Sequence, residues 1–428
     1  MRSALLIFLL SASSMLGVTN YVAQNGQTPV SPYTNGWESA ASNIQDAVDV
    51  VIAGSTILVT NGIYVLTNTI TVTNFTVKSC NLDFTNTVVN GNYPNVTNRC
   101  FILNHANAVV EGFMITNGYY VGPPPGSTAT GGGGVSMSAG TLRNCLIAGN
   151  TETNASEGGG GGVYAIGGSI SNCNITDNWA YDRGGGAFLW TSASKMGNCR
   201  IMYNNQSIGH GGGGVYLYNG SILYDSIIAS NKCINSGSSA CEIAIRSAGI
   251  IRNCLIITNN IGTLGRGVFF VGGGSISNAT IDGNVHSSWN EGYFLIENTI
   301  ISGILSKDTY IGTAYITLNN SRMNSIPTNE AGINWTNFVT STNCITSSPQ
   351  FVDLVGKDFR LANNSPCIDT GTNAAWMVGT YDFAGNARIF NFIVDMGCYE
   401  YYFISGQTSL LIPPINNMLK SQNVFWPL

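Results

Sequence analysis

Apolar residues in this chain come in short runs of three to five, alternating with polar ones at period two and closed off by Gly or Asn. That spacing predicts strands and excludes helices, because Gly and Asn at such frequency weaken helices and a helical face needs apolar positions three and four apart. The runs repeat. GTLRNCLIAGN (140–150), GSISNCNITDN (168–178), SKMGNCRIMYN (194–204), GSILYDSIIASN (220–231), GIIRNCLIITN (249–259) and GSISNATIDGN (274–284) share a skeleton of Asn, small residue, x, Ile, x, x, Asn. Its first Asn recurs as Asn144, Asn172, Asn198, then Asp225 in its place, then Asn253, Asn278 and Asn298. A glycine run leading into a second apolar stretch lies between these blocks: GGGGVSMS, GGGGVYAI, GGGAFLW, GGGGVYLY and GRGVFFV.

A repeat of 20 to 28 residues built from such pieces predicts an all-β solenoid of stacked parallel strands, each coil rising about 4.8 Å above the last. One coil reads as a strand (VYAI), a glycine bend, a strand (SIS), a tight Asn turn, a strand (CNIT) and a long loop back to the next glycine run. Asn suits the turn because it tolerates the left-handed conformation, and stacked copies can hydrogen-bond along the solenoid. Cys145, Cys173, Cys199 and Cys254 follow the turn Asn directly and so face inward; the same slot holds Ser226, Ala279 and Thr299. A column of small buried side chains, with thiols acting as small apolar groups, accounts for that mixture. Upstream, Ile44, Ala47, Val48 and Val51 have helical spacing, and an amphipathic helix over 40–52 is expected to close the open end of the solenoid.

Composition narrows function. Only 9% of residues are charged against about 25% in ordinary chains, while 44% are apolar, so the chain buries a large core and is not a disordered polymer. Seventeen basic residues against 22 acidic ones, with no basic cluster, leave no footprint for nucleic acid. Arg2, the apolar stretch Ala4 to Leu10 and the small residues to Gly17 read as an export signal over 1–17, and no later stretch has the apolar length of a membrane span. The mature protein is expected to be secreted or held at a cell surface, as a monomer.

The opening YVAQNG (21–26), the IQDAVDVV helix and the coils resemble the pectate-lyase-like right-handed parallel β-helix superfamily, with coils similar to polymorphic outer-membrane-protein repeats. SPQFVD (348–353), KDFRLANNSPCIDTG (357–371), DFAGNARI (382–389) and VDMGCYEY (394–401) resemble the choice-of-anchor Q region that closes surface β-helix proteins. The resemblance implies a right-handed parallel β-helix over 18–305, further coils and a small β-rich cap over 306–402, and a tail over 403–428. The tail lacks a recognisable sorting sequence or a long apolar span with a basic stop.

The superfamily contains polysaccharide lyases and glycoside hydrolases, so cleavage is one expected function. It needs paired carboxylates, or carboxylates holding Ca²⁺ beside a proton-abstracting base. Glu157, Glu242, Glu291, Lys232 and Arg266 lie in the loops, but among loop groups only Asp182, next to Arg183, and His210 share a coil position on adjacent turns. These are thin catalytic candidates; no metal or other cofactor is called for outside a lyase. The glycine runs are not phosphate loops, since none leads into GK[ST] or opens a helix.

A stronger signal lies in the strands after the glycine runs. If Val163, Ala187, Val215 and Val268 point inward, their successors Tyr164, Phe188, Tyr216 and Phe269 point outward, followed on that face by Ile166, Trp190 and Tyr218. In the intervening coil Ile243 and Ile245 fall inside and Arg246 outside. A solvent-facing strip of Tyr164, Phe188, Trp190, Tyr216, Tyr218 and Arg246, walled by Tyr181, Asp182, Arg183 and His210, predicts a groove for an extracellular polysaccharide or cell-surface glycan. Glycan binding or adhesion is therefore the leading expectation, cleavage the alternative, and a purely structural surface protein the third. Were loops or the C-terminal region to cover this strip, there would be no groove. In the C-terminal region Cys367 and Cys398 are expected to form a disulfide, with Cys233 and Cys241 a weaker pair.

Overall fold

The computed structural model describes residues 17–122, 131–154, 158–234, 241–257, 266–287, 292–307, 314–325 and 339–402. Each coil contributes strands such as Val163–Ala165, Gly168–Ser171 and Asn174–Thr176, and each pairs in parallel with its counterpart one coil away. Three sheets result: sheet A, of 13 strands, containing the SIS segments; sheet B, of ten, containing the CNIT segments; and sheet C, of ten, containing the segments after the glycine runs. A fourth sheet of two-residue strands, among them Trp179–Ala180, runs along the loop corner, where two residues are too few to show an alternating pattern. Inward positions stack in register, as in Ile175, Ile201, Ile228, Ile256 and Ile281 of sheet B, and fill one continuous apolar core. The capping helix spans Ile44–Val50, starting later than expected because the Asn43 side chain accepts from the Asp46 amide and fixes its first turn. It buries Ile44 and Ala47 against the first coils.

The turn column behaves as read: Asn144, Asn172, Asn198, Asp225, Asn253, Asn278 and Asn298 all have φ between 47° and 54°. The longer hydrogen-bond ladder, however, belongs to the second Asn of the skeleton. Asn150 donates through Nδ2 to Asn178 Oδ1, Asn178 to Asn204 and Asn204 to Asn231, each at 2.9 Å, and Asn231 donates to Glu242 Oε2 at 2.8 Å. This ladder explains the last glycine of each run. A Cβ on Gly186 would come within 2.9 Å of the Asn204 amide nitrogen, and one on Gly162 within 3.0 Å of Asn178. Glu242 follows in the same register after Gly214 and sends its carboxyl into the column, so this loop candidate is a buried structural terminus. Burial pushes its carboxyl up to about 8.

The inward thiols are free. Cys145, Cys173, Cys199 and Cys254 each donate from Sγ to the carbonyl two residues earlier at 3.1 to 3.2 Å, as Ser226 and Thr299 do from their hydroxyls. The slot therefore selects small side chains, Ala279 included, and those with a donor reach that carbonyl.

Residues 348–402 fold back as a cap against the outer face of sheet B and the Asn corner. That face turns apolar where it is covered: Ile227, Ala229, Leu255 and Ile257 pack on Phe359, Cys398 and Tyr399. Asn298 exchanges hydrogen bonds with Thr372, Asn320 donates to Thr370, and Lys357 pairs with Asp282 at 2.6 Å. Arg388 is fully buried, bonded to the carbonyl of Gly397 and to Asn253 Oδ1 and 3.3 Å from Glu400. The expected Cys367–Cys398 disulfide does not form. Cys367 packs with Ile300, Leu361 and Met396, Cys398 with the sheet B cluster, and both are free thiols. Apolar packing and the Arg388 network hold the cap instead of a covalent link. The side chain of Cys241 lies outside the described residues.

Candidate functional site

The predicted facing of sheet C is right, and its consequence is mixed. Val163, Ala187, Val215, Ile243 and Val268 stack inward, while Tyr164, Phe188, Tyr216, Ala244 and Phe269 stack outward. Yet Tyr164, Phe188 and Tyr216 are 1 to 2% exposed, so this first outward row is not an open strip. The rings cover one another edge to face, Tyr164 on Phe188 at 5.5 Å and Phe188 on Tyr216 at 5.2 Å, and a guanidinium covers them. Arg183 lies 5.9 Å from the Phe188 centroid and 5.8 Å from that of Tyr216. It takes a place in a column whose neighbours are Gly159 and Gly211. A Cβ on Gly159 would sit 2.9 Å from both the Arg183 Cβ and the Phe188 ring, so the glycine is what lets Arg183 lie down.

The second outward row remains accessible. Trp190, Tyr218 and Arg246 are half-buried, and together with Arg183, Phe188 and Tyr216 they line a pocket of about 80 Å³. Trp190 meets Tyr218 edge to face at 5.5 Å, and the Arg246 guanidinium lies 5.7 Å from the Tyr218 centroid. Inside, the Tyr216 hydroxyl lies beside the Arg246 guanidinium and has no acceptor for its proton among the described residues. Burial pushes its pKa up, opposed by Arg183 and Arg246. Such a hydroxyl, between two cations in a small pocket, is a ready donor to an anionic ligand group.

The loop wall places Asp182 and His210 together. His210 Nδ1 lies 2.9 Å from Asp182 Oδ1, which also accepts from the His210 amide at 3.1 Å. Asp182 is buried and its other oxygen lies 3.6 Å from Arg183 Nε, while the His210 side chain is 47% exposed. Gly209 makes this possible: its φ is +109°, and a Cβ there would fall on the Asp182 carboxylate. Arg183 thus links the dyad to the pocket. Tyr181, on the same wall, is half-buried against Trp179.

Two further residues extend the site. The Arg99 guanidinium lies 3.5 Å above the Tyr120 ring, and Glu152 is fully buried, its carboxyl pushed up to about 8 by burial. Arg99 precedes Phe101–Leu103, the strand in register with Val135–Met137. The short coil there has no glycine run to announce the register, which hid it. With Glu152 held neutral near pH 7, Arg99, Arg183 and Arg246 outweigh Asp182 and the region is cationic. Among the described residues no three acidic, His or Cys side chains are placed to hold a metal ion, and Asp182 is committed to His210 and Arg183.

Residues 126–287 match the family described as the right handed beta helix region. Among solved structures, the pectate lyase Pel9A aligns with 90% of this chain and 97% of its own length, at a TM-score of 0.57 and 16% identity. A rhamnogalacturonan lyase aligns over 88% of this chain and 96% of its own, with a TM-score of 0.40 and 15% identity. A mannuronic acid specific polysaccharide family 6 lyase from human gut microbiota aligns over 63% and 75%, with a TM-score of 0.28 and 10% identity. No curated protein matches. Parallel coils in three long sheets, the matched region and the alignment with Pel9A over nearly its full length give one conclusion: this chain has the right-handed parallel β-helix fold of a pectate lyase.

Proposed function

We propose that this chain is an extracellular protein, secreted or displayed at a cell surface, that binds acidic polysaccharide across the outer face of sheet C. The observation that carries the reading is the pocket in which Arg183 and Arg246 flank Tyr216 beneath the half-exposed rings of Trp190 and Tyr218. A pocket of about 80 Å³ holds one small polar group, not a sugar ring. A uronate carboxylate can accept from both guanidiniums and from the Tyr216 hydroxyl, while the ring that carries it lies on Trp190 or Tyr218. The pectate lyase whose fold this chain shares acts, by its name, on a polymer of that class.

Affinity electrophoresis through gels containing polygalacturonate, alginate or neutral dextran tests this. The acidic gels should retard the protein and dextran should not. Arg246→Ala and Trp190→Ala should each weaken binding about tenfold or more, and added salt should weaken it further. Equal retardation by dextran, or unchanged binding by both variants, refutes the reading.

The His210–Asp182 pair favours a second reading, cleavage of the bound polymer. A histidine that donates Nδ1–H to a buried carboxylate keeps Nε2 as a base, as β-elimination beside a uronate carboxylate requires. Absorbance at 235 nm from new double bonds, lost in His210→Ala while binding persists, is the expected signature. No absorbance rise with any acidic polymer leaves binding as the whole activity.

A further inference from the structure

A second place is built to hold a ligand, on another side of the molecule. Where the cap meets the solenoid, a cleft of about 740 Å³ opens between the coils carrying Asn198 and Asp225 and the cap segment 379–385. Its floor breaks two sequence columns at once. The turn column is Asn at 144, 172, 198, 253, 278 and 298, and Asp only at 225. The neighbouring outward column of sheet B runs Asn174, Arg200, Ile227, so a cation stands between an amide and an aliphatic side chain.

Both charges are incompletely used. The half-buried Arg200 guanidinium has neither an ion pair nor a hydrogen-bond partner among the described residues. Asp225 accepts one hydrogen bond through Oδ1, from Asn253 Nδ2 at 2.6 Å. The cap wall adds the 65% exposed ring of Tyr381 and the half-buried Phe383, and Gly379 and Gly385 keep side chains out of the opening. Interfaces between structural units are favoured ligand sites, and this volume is in the usual range.

We propose that this cleft is a second saccharide site, which takes an acidic sugar residue with its carboxylate on Arg200, its hydroxyls on Asp225 and Asn198, and a ring face on Tyr381. Arg200 and Asp225 set the class, since Asp382, which also lines the cleft, is committed to the amides of Ala384, Asn386 and Glu400. A bare anion would satisfy Arg200 but be repelled by Asp225, and a neutral sugar would leave Arg200 unpaired; a uronic acid carries both the anion and the hydroxyl donors. With the sheet C pocket, the chain becomes bivalent and links two polymer strands.

Titration calorimetry on the full chain with galacturonate and mannuronate trisaccharides tests it, with maltotriose and inorganic phosphate as controls. Two sites per chain are expected for one of the acidic sugars. Arg200→Gln should remove one site and leave the thermal midpoint unchanged, and Arg246→Ala should remove the other. A single site lost in Arg246→Ala and indifferent to Arg200→Gln overturns this inference and leaves the sheet C reading standing. A single site with the reverse behaviour supports the cleft and overturns sheet C. Binding of phosphate or maltotriose at the Arg200-dependent site, as tight as the acidic sugar, overturns the ligand assignment.

Discussion

Asn178 should be among the most costly polar positions in the solenoid. It is fully buried, accepts from the Asn150 backbone amide at 3.1 Å and from Asn150 Nδ2 at 2.9 Å, and donates to Ile147 O and Asn204 Oδ1, both at 2.9 Å. Asn178→Ala removes all four. The Asn150 side chain keeps bonds to Ile115 O and Ala148 O, but Asn178 Oδ1 is the acceptor its backbone N–H uses. Orphaning one buried N–H costs about 1 to 3 kcal/mol, and the other three lost bonds about 1 kcal/mol each, so the total is about 4 to 6 kcal/mol. Asn172→Ala is the control: that residue is exposed and contributes chiefly its tolerance of a φ of 53°, worth about 1 kcal/mol. Urea unfolding followed by tryptophan fluorescence measures both. If Asn178→Ala costs no more than Asn172→Ala, the buried ladder is not what holds adjacent coils together.

Gly186→Ala should lower the urea midpoint and weaken the ladder, since its Cβ would press on both Gly214 O and Asn204 Nδ2; a wild-type midpoint refutes the account of the glycine runs. Arg388→Met removes the bonds to the Asp395 and Gly397 carbonyls and the contact with the Glu400 carboxyl inside the cap and should cost about 3 to 5 kcal/mol, with early proteolysis confined to 348–402. Glu242 has its folded pKa raised to about 8, so its contribution is complete below the unfolded pKa and is lost as pH rises through the folded value; Glu242→Gln, which keeps an acceptor for Asn231, should flatten the decline in stability between about pH 4.5 and 8. Alkylation of the denatured, unreduced protein should label both Cys367 and Cys398, and a crosslinked 367–398 peptide would contradict the packing described.

Much of the coil was legible because the parallel stack repeats each choice. Inward Ile, turn Asn and small residue recur in the same slot, and strand alternation then gives the outward faces of sheet C correctly. What alternation does not encode is what lies on top of an outward residue. Phe188 and Tyr216 read as exposed because the guanidinium of Arg183 that covers them stands in a column whose neighbours, Gly159 and Gly211, have no side chain to announce it. The disulfide expected within the cap fails for a related reason. Cys367 and Cys398 were paired on their residue type, whereas Ile227, Leu255 and Ile257, apolar on the outer face of sheet B, were the signal that the cap packs there. Glu242 was hidden because a glycine slot rarely holds a side chain, and only the end of the Asn column gives it somewhere to go.

The amide ladder has a direction and an end, and that divides the rod mechanically. Coils from Asn150 to Asn231 are riveted from inside, each to the next, and the last rivet is Glu242. Beyond it the turns at Asn253, Asn298 and Asn320 are clasped from outside by the cap. A force pulling the two ends apart therefore meets two kinds of fastening in series. The external clasp can be lifted as a unit, whereas the internal spine must be undone coil by coil.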